Sequence, residues 1–196
     1  VGAAEYVVIP YLKTQGIARL DMVFNTHPDI DHIGGLFAVL DEISVKRLAV
    51  FSGYPGNERQ AQLLQLAAAK KVEILSVAAG DVFHFSENFS VRVLSPPAGA
   101  EFGADMVNNG SLVLQVSYQD FDVLLTGDLV GEQLQSAVAD LACSDIEVLQ
   151  LPHHGSRYSY AEDWYANFAP QAVLISVGRD NSFGQPGAEV VEYWQR

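Results

Sequence analysis

Short apolar runs alternate with amphipathic stretches along most of the chain. Residues 22–26 (MVFNT) predict a short buried strand, 27–33 a polar turn, and 34–43 (GGLFAVLDEI) an amphipathic helix. The pattern continues with a strand over 47–51, an Ala-, Leu- and Gln-rich helix over 58–70, and a strand over 73–77. The middle changes character. Residues 81–94 split into two alternating runs around Ser86-Glu87-Asn88, which predicts a hairpin, and 111–118 with 121–126 predict a second strand pair around Gln119-Asp120. Alternation then returns: a helix near 131–141, a strand over 147–151, a helix near 160–168, a strand over 172–177 and a final helix from about Pro186. No repeat, low-complexity tract or linker interrupts this order, so one domain over 1–196 is expected. Helices outside mixed sheets give an α/β or layered α+β architecture.

Composition narrows the picture. The chain has 196 residues, of which 49% are hydrophobic and 18% charged, an ordinary globular balance. Lysine plus arginine number 11 against 24 acidic residues, a net charge of −13, which excludes a broad basic surface that grips nucleic acid by charge alone. The single cysteine, Cys143, allows no intrachain disulfide and no all-cysteine zinc site. No apolar run approaches the roughly 18–20 residues of a membrane helix. The chain opens at Val1 without methionine or a signal-like leader, and the expectation is a soluble piece of a longer protein, with no lipid binding of its own.

The chemistry concentrates in the histidines. Four of five lie in two clusters. The first, His27-Pro28-Asp29-Ile30-Asp31-His32, follows a strand and precedes Gly34-Gly35. Two imidazoles and two carboxylates within six residues match the nitrogen and oxygen ligands of zinc, manganese or iron. A polar loop whose aspartates cap the next helix explains one aspartate but not four candidate ligands. The second cluster is Pro152-His153-His154-Gly155-Ser156, again at a strand end. Adjacent histidines point different ways, so one suits a ligand and the other an orienting, substrate-binding or acid/base role. Alone, such a pair reads as a surface turn, and it gains weight from a third piece. Thr126-Gly127-Asp128 ends another strand, where Asp128 either reaches a cleft or caps a helix. His84, inside the alternating run DVFHF, reads as structural or surface.

HxDxDH followed by GG, then TGD, then HHGS, in that order and each at a strand end, resembles the metallo-β-lactamase superfamily. Its usual first motif is HxHxDH, with Asp29 here in place of the middle histidine. THPDIDHIGG, VNNGSLVL before LLTGD, LPHHGS and ISVGRDNSFGQP look like the metallo-β-lactamase-like domain at the end of ComEC proteins, the membrane channels of bacterial DNA uptake. The resemblance covers nearly the whole chain. It implies an α+β fold, an αββα sandwich, here without its opening strands. It carries metal-site roles to His27, Asp29, Asp31, His32, Asp128 and His153 or His154, with His153 favoured as the ligand.

The resemblance also implies one or two divalent ions, manganese or zinc with magnesium also accommodated, and a nuclease acting on the non-imported single strand of DNA. Asp31 is then the carboxylate that holds the attacking water, Asp128 the bridge between ions, and His154 the group that polarises a phosphoryl oxygen or protonates the leaving group. Asn108 and Asn109 stand where the superfamily has a further histidine, and Gln185 where the late ComEC motif has one. Low metal affinity follows, including an empty site in an isolated piece. Asn108 and Asn109 become candidate contacts to water or substrate, and Ser111, Ser156, Arg157 and Asn181 candidate phosphate contacts. The implied setting is a membrane-tethered domain of a bacterial integral membrane protein, outside the cytoplasm, with the transmembrane remainder as partner. Two further readings stay open: a hydrolase of a small phosphodiester or other ester, and a catalytically degenerate structural domain of the DNA channel.

Overall fold

The computed structural model describes residues 2–137 and 146–196. They divide into two compact units, Val1–Val77 with Gly99–Gly110 and Ala78–Ala98 with Ser111–Arg196. The far end of the helix expected to residue 141, and Cys143, lie outside the described residues.

The first unit opens with a π-helical turn, Ala4–Val8, running into α1 (Ile9–Thr14). Then come β1 (Arg19–Leu20), β2 (Val23–Asn25), α2 (Ile30–Glu42), β3 (Ser44–Val45), β4 (Arg47–Val50), α3 (Glu58–Ala69) and β5 (Glu73–Ser76). β2, β4 and β5 form a parallel sheet in that order, and β1 pairs with β3. A parallel connection needs a crossover, and the amphipathic segments α2 and α3 supply it. Their apolar faces close a core around Ile9, Ile33, Leu40, Leu48 and Leu63. Each fully buried residue of this kind contributes roughly 1.5–3 kcal/mol.

Helix α2 starts four residues before the expected Gly34, because Asp29 already has the extended backbone of an N-cap (φ −73°, ψ 147°). Gly34 and Gly35 therefore lie inside the helix. A Cβ at Gly35 would stand 2.9 Å from the Cβ of Ala4, so glycine here lets the opening helix lie against α2. That opening helix had no apolar periodicity to announce it: Tyr6, Val7 and Tyr11 are exposed, while Ala4 and Ile9 face the core.

The second unit contains β6 (Val82–Ser86), β7 (Phe89–Ser95), β8 (Val113–Tyr118), β9 (Phe121–Leu125), α4 (Gly131–Ala137), β10 (Val148–Gln150), α5 (Glu162–Tyr165), β11 (Ala172–Leu174) and α6 (Ala188–Trp194). Its sheet runs β11-β10-β9-β8-β7-β6. β6 to β9 form an antiparallel meander, as the two expected hairpins require, and β9, β10 and β11 are parallel. Leu124, Leu149, Leu151, Trp164, Tyr165 and Val190 form its core. The strand expected over 172–177 stops at Leu174, and the helix expected over 160–168 shortens to the single turn of α5, preceded by a 3-10 turn at Arg157–Ser159. Each unit thus pairs a sheet with helices, the expected α+β composition.

Candidate metal centre

In the first unit the candidate ligands cluster between the end of β2 and the start of α2. His27 is fully buried, and Thr26 beside it is too. The Thr26 hydroxyl lies 3.1 Å from His27 Nδ1 and 3.3 Å from His32 Nδ1. One hydroxyl therefore fixes both rings, whose centroids are 4.1 Å apart. The opposite ring nitrogens face carboxylates: His27 Nε2 is 3.8 Å from Asp29 Oδ2, and His32 Nε2 is 3.9 Å from Asp31 Oδ2. Asp29 occupies the N-cap position of α2 without making a side-chain capping bond. Helix capping, the plain structural account of this loop, is not what its carboxylate does.

Tyr54 stands close enough for the charge of Asp29 to act on it. Burial first, and Asp29 second, hold its phenol neutral well above the ordinary tyrosine range. Its hydroxyl donates to the Val107 carbonyl at 3.2 Å. Val107 opens the 3-10 turn Val107–Gly110, which carries Asn108 and Asn109, both half-buried.

In the second unit, β9 ends at Leu125 and the chain turns through Thr126-Gly127-Asp128. Gly127 has φ +54°, and a Cβ there would stand 2.9 Å from the Ser111 Cβ, so the turn requires glycine. Thr126 donates to the Gln150 carbonyl at 2.9 Å, tying the turn to β10. The Asp128 N–H donates to Ser111 Oγ at 3.2 Å.

The Pro152–Gly155 turn follows β10. His153 (φ 49°, ψ 48°), His154 (φ 57°, ψ 25°) and Gly155 (φ 69°) are consecutive left-handed residues. For non-glycine residues this costs roughly 1–2 kcal/mol each. Strain of this kind persists only where surrounding contacts enforce it. Here the His153 N–H donates to the Gly127 carbonyl at 3.1 Å, and Gln185 Nε2 donates to the His153 carbonyl at 3.3 Å. The result turns His154, not His153, toward Asp128: His154 Nε2 is 3.4 Å from Asp128 Oδ2, and His154 Nδ1 lies 2.7 Å from the Ser176 carbonyl. A carbonyl only accepts, so Nδ1 carries the proton of the neutral ring.

Each unit therefore brings a carboxylate and an imidazole to within metal-chelating separation. Ligand atoms of Asp31 and His32 lie within 4.8 Å of each other, and so do those of Asp128 and His154. The other candidates are placed as follows. Ser111 and Ser156 are buried, at 0% and 3% exposure, and both accept backbone N–H groups, from Asp128 and Tyr158 respectively. Arg157 is exposed, and His84 lies on β6 in a surface depression with Glu87 and Asp120. Thr26, Tyr54 and the Ser176 carbonyl were not singled out from sequence. A hydroxyl next to a histidine was the available signal for Thr26; Tyr54 and Ser176 had none.

A family profile described as the metallo-beta-lactamase superfamily matches residues 2–71. The chain is 34% identical over 98% of its length to "ComE operon protein 3" of Bacillus subtilis (strain 168), covering 24% of that protein. It is 31% identical over 98% of its length to "Recombination protein 2" of Haemophilus influenzae, covering 22% of it, and 26% identical over 95% to "Competence protein ComA" of Neisseria gonorrhoeae, covering 24%. The chain spans about a quarter of the length of these relatives. Among the described residues no helix is long and apolar enough to cross a membrane. Residues 2–71 match the metallo-β-lactamase superfamily profile, and the chain as a whole is a relative of the ComEC-family competence proteins.

Proposed function

We propose that this chain is a metal-dependent phosphodiesterase that cuts single-stranded DNA, acting as a domain of a larger membrane-embedded uptake protein on the outer side of the cytoplasmic membrane. The observation that carries the reading recurs in both units: an imidazole is fixed through Nδ1 by the protein's own oxygen and turns Nε2 to a carboxylate. That is how proteins orient metal-binding histidines. The Thr26 oxygen has two lone pairs and can accept from both Nδ1–H groups, the tautomers that leave both Nε2 atoms as lone-pair donors.

The donor set fits a divalent ion. In the first unit His27, Asp29, Asp31 and His32, and in the second Asp128 and His154, are nitrogen and carboxylate-oxygen donors of the kind that suits manganese or zinc and accommodates magnesium. In this assignment His154 takes the ligand role that the family resemblance gave to His153, because His154 is the ring beside Asp128. When bound, the metal supplies Lewis acidity toward a water and a phosphoryl oxygen. The chain's own groups do the rest. Asp31, the most exposed of the three carboxylates at 59%, orients the attacking water and accepts its proton. Asp128 is held by Ser111, and exposed Arg157 meets phosphate.

Similarity to competence proteins favours DNA over a β-lactam, which needs a pocket for its carboxylate and bulky side group. The test is metal titration calorimetry together with cleavage of a single-stranded oligonucleotide, a duplex and a chromogenic β-lactam in manganese. Single-strand cleavage by wild type and its loss in Asp31→Ala is the expected result. Equal cleavage by both proteins, or no cleavage with metal demonstrably bound, overturns the nuclease reading.

A further inference from the structure

Two aromatic side chains of the second unit are out of place for a folded domain. Tyr158 is 82% and Phe183 79% exposed, against 56% for the next large apolar side chain of the unit, Tyr118. Each belongs to a loop held in one geometry. Tyr158 lies in the 3-10 turn whose N–H is capped by Ser156 Oγ at 3.2 Å. Phe183 lies in a loop knitted by one side chain. Asn181 Nδ2 donates to the carbonyls of Gly178 (3.0 Å) and Gln185 (2.7 Å), while its Oδ1 accepts from the N–H groups of Phe183 (3.2 Å) and Gln185 (3.1 Å).

The two loops meet at Arg157. A Cβ on Gly184 would stand 3.8 Å from an Arg157 guanidinium nitrogen, and one on Gly187 3.2 Å from the Arg157 Cα. Gly187 N–H donates to the Gly155 carbonyl at 2.8 Å, and Gln185 donates to His153, so both loops are anchored on the strained histidine turn. Among the described residues Arg157 forms no ion pair, in a chain with 24 acidic groups to 11 basic ones. An unengaged guanidinium where two hydrogen-bonded loops meet, each carrying an exposed aromatic ring, suits an anionic polymer with exposed flat rings. Rigid presentation matters, because the ordering cost of a stacking contact is then already met by the fold.

We propose that Tyr158 and Phe183 form a stacking platform for unpaired bases, with Arg157 on the intervening phosphate, and that this platform selects single-stranded over duplex nucleic acid. The inference rests on the nuclease reading for its substrate class and adds the residues that recognise it. In a duplex the ring faces are already stacked on each other, so the platform gains nothing from it. In a single strand every base offers a face, so recognition is independent of sequence.

The experiment is fluorescence anisotropy of the purified chain with a labelled single-stranded oligonucleotide and a duplex of equal length, in chelator and again in manganese. The expected result is tighter binding of the single strand. Tyr158→Ala and Phe183→Ala should each weaken it about 5- to 100-fold, while Tyr158→Phe keeps wild-type affinity. Arg157→Ala should weaken it and lower the salt slope by about one. Unchanged binding in the Tyr158→Ala/Phe183→Ala double variant, equal affinity for duplex, or self-association of wild type that both alanine variants abolish without altering DNA binding overturns the platform. Binding in chelator separates the two readings: a protein that binds as expected but cuts nothing in manganese sinks the nuclease and leaves the platform standing.

Discussion

The first unit gathers its candidate ligands from six consecutive residues; the second assembles Asp128, His154 and their supports from five separate segments. The carboxylates differ accordingly. Asp29 and Asp31 are 42% and 59% exposed at the side chain, whereas Asp128 is 5% exposed. In the first unit the imidazoles are the buried partners and one hydroxyl, Thr26, holds both. In the second the carboxylate is buried, its backbone is held by Ser111, and the histidine turn that faces it is bent through two left-handed residues. A contiguous motif needs little from the fold beyond a strand end and a helix start. A dispersed one needs long-range hydrogen bonds to hold a strained backbone.

The largest expected effect separates chemistry from folding in the two units. Asp31→Ala and Asp128→Ala should each lower single-strand cleavage by about 100-fold or more, since each removes the carboxylate of its own unit's carboxylate–imidazole pair. Their stabilities should differ. Asp31 is mostly exposed, so its removal should stay within about 0.5 kcal/mol by chemical denaturation. Asp128 is buried, and its alanine should shift the midpoint measurably. Equal stability changes in both variants break the contrast.

Thr26→Val is the next test. The methyl replaces the hydroxyl at similar volume but leaves both Nδ1 atoms without their shared oxygen. Metal affinity should drop roughly 10- to 100-fold. Thr126→Val, which loses only its bond to the Gln150 carbonyl, should change metal affinity less. Calorimetry with manganese reads both, and an equal loss in the two variants removes Thr26 from its special place.

How much of this was legible follows the same division. The first cluster could be read directly, because four candidate ligands in six residues exceed what a capping loop requires. The strand and helix order was legible from apolar periodicity wherever a face is buried. The opening helix was not, since its exposed Tyr6, Val7 and Tyr11 blur the stripe. Nor was the shift of α2 to Ile30, because Gly34-Gly35 reads locally as a turn and only the approach of Ala4 gives it another use. In the second unit, the family resemblance favoured His153 as the ligand, whereas His154 is the ring that lies beside Asp128. Two adjacent left-handed residues decide which ring meets Asp128, and that conformation is imposed by Gly127 and Gln185, remote in sequence.

His153→Gly addresses that strain. Relief of the left-handed cost, roughly 1–2 kcal/mol, is offset by glycine's extra unfolded-state freedom, roughly 0.5–1 kcal/mol. The net gain is up to about 1.5 kcal/mol, or up to roughly 3–6 °C in Tm for a chain this size. Manganese affinity should stay near wild type, whereas His154→Gly should lose it. Loss in His153→Gly instead returns the ligand role to His153.

The smallest effect contrasts one buried phenol from each unit. Tyr54 donates to the Val107 carbonyl, while Tyr165 OH has no hydrogen-bond partner among the described residues. Burial raises the pKa of both; Asp29 adds to the effect at Tyr54, and Tyr160 at Tyr165. Tyr54→Phe should therefore cost about 0.5–1.5 kcal/mol at neutral pH, and Tyr165→Phe close to nothing. The pH dependence has a definite sign. A free phenol titrates near pH 10, and the folded phenols titrate higher, so below about pH 10 both states keep the proton and the contribution is fully present. As pH rises past 10 the unfolded chain releases its protons and the folded one does not, so wild type loses stability from there toward the folded pKa values. Each phenylalanine variant should lose less over that range, and the deficit of Tyr54→Phe should shrink as the solution becomes alkaline. Denaturation midpoints at pH 8, 10 and 11 measure this, and parallel curves for wild type and Tyr54→Phe would show that Tyr54 is not held neutral beside Asp29.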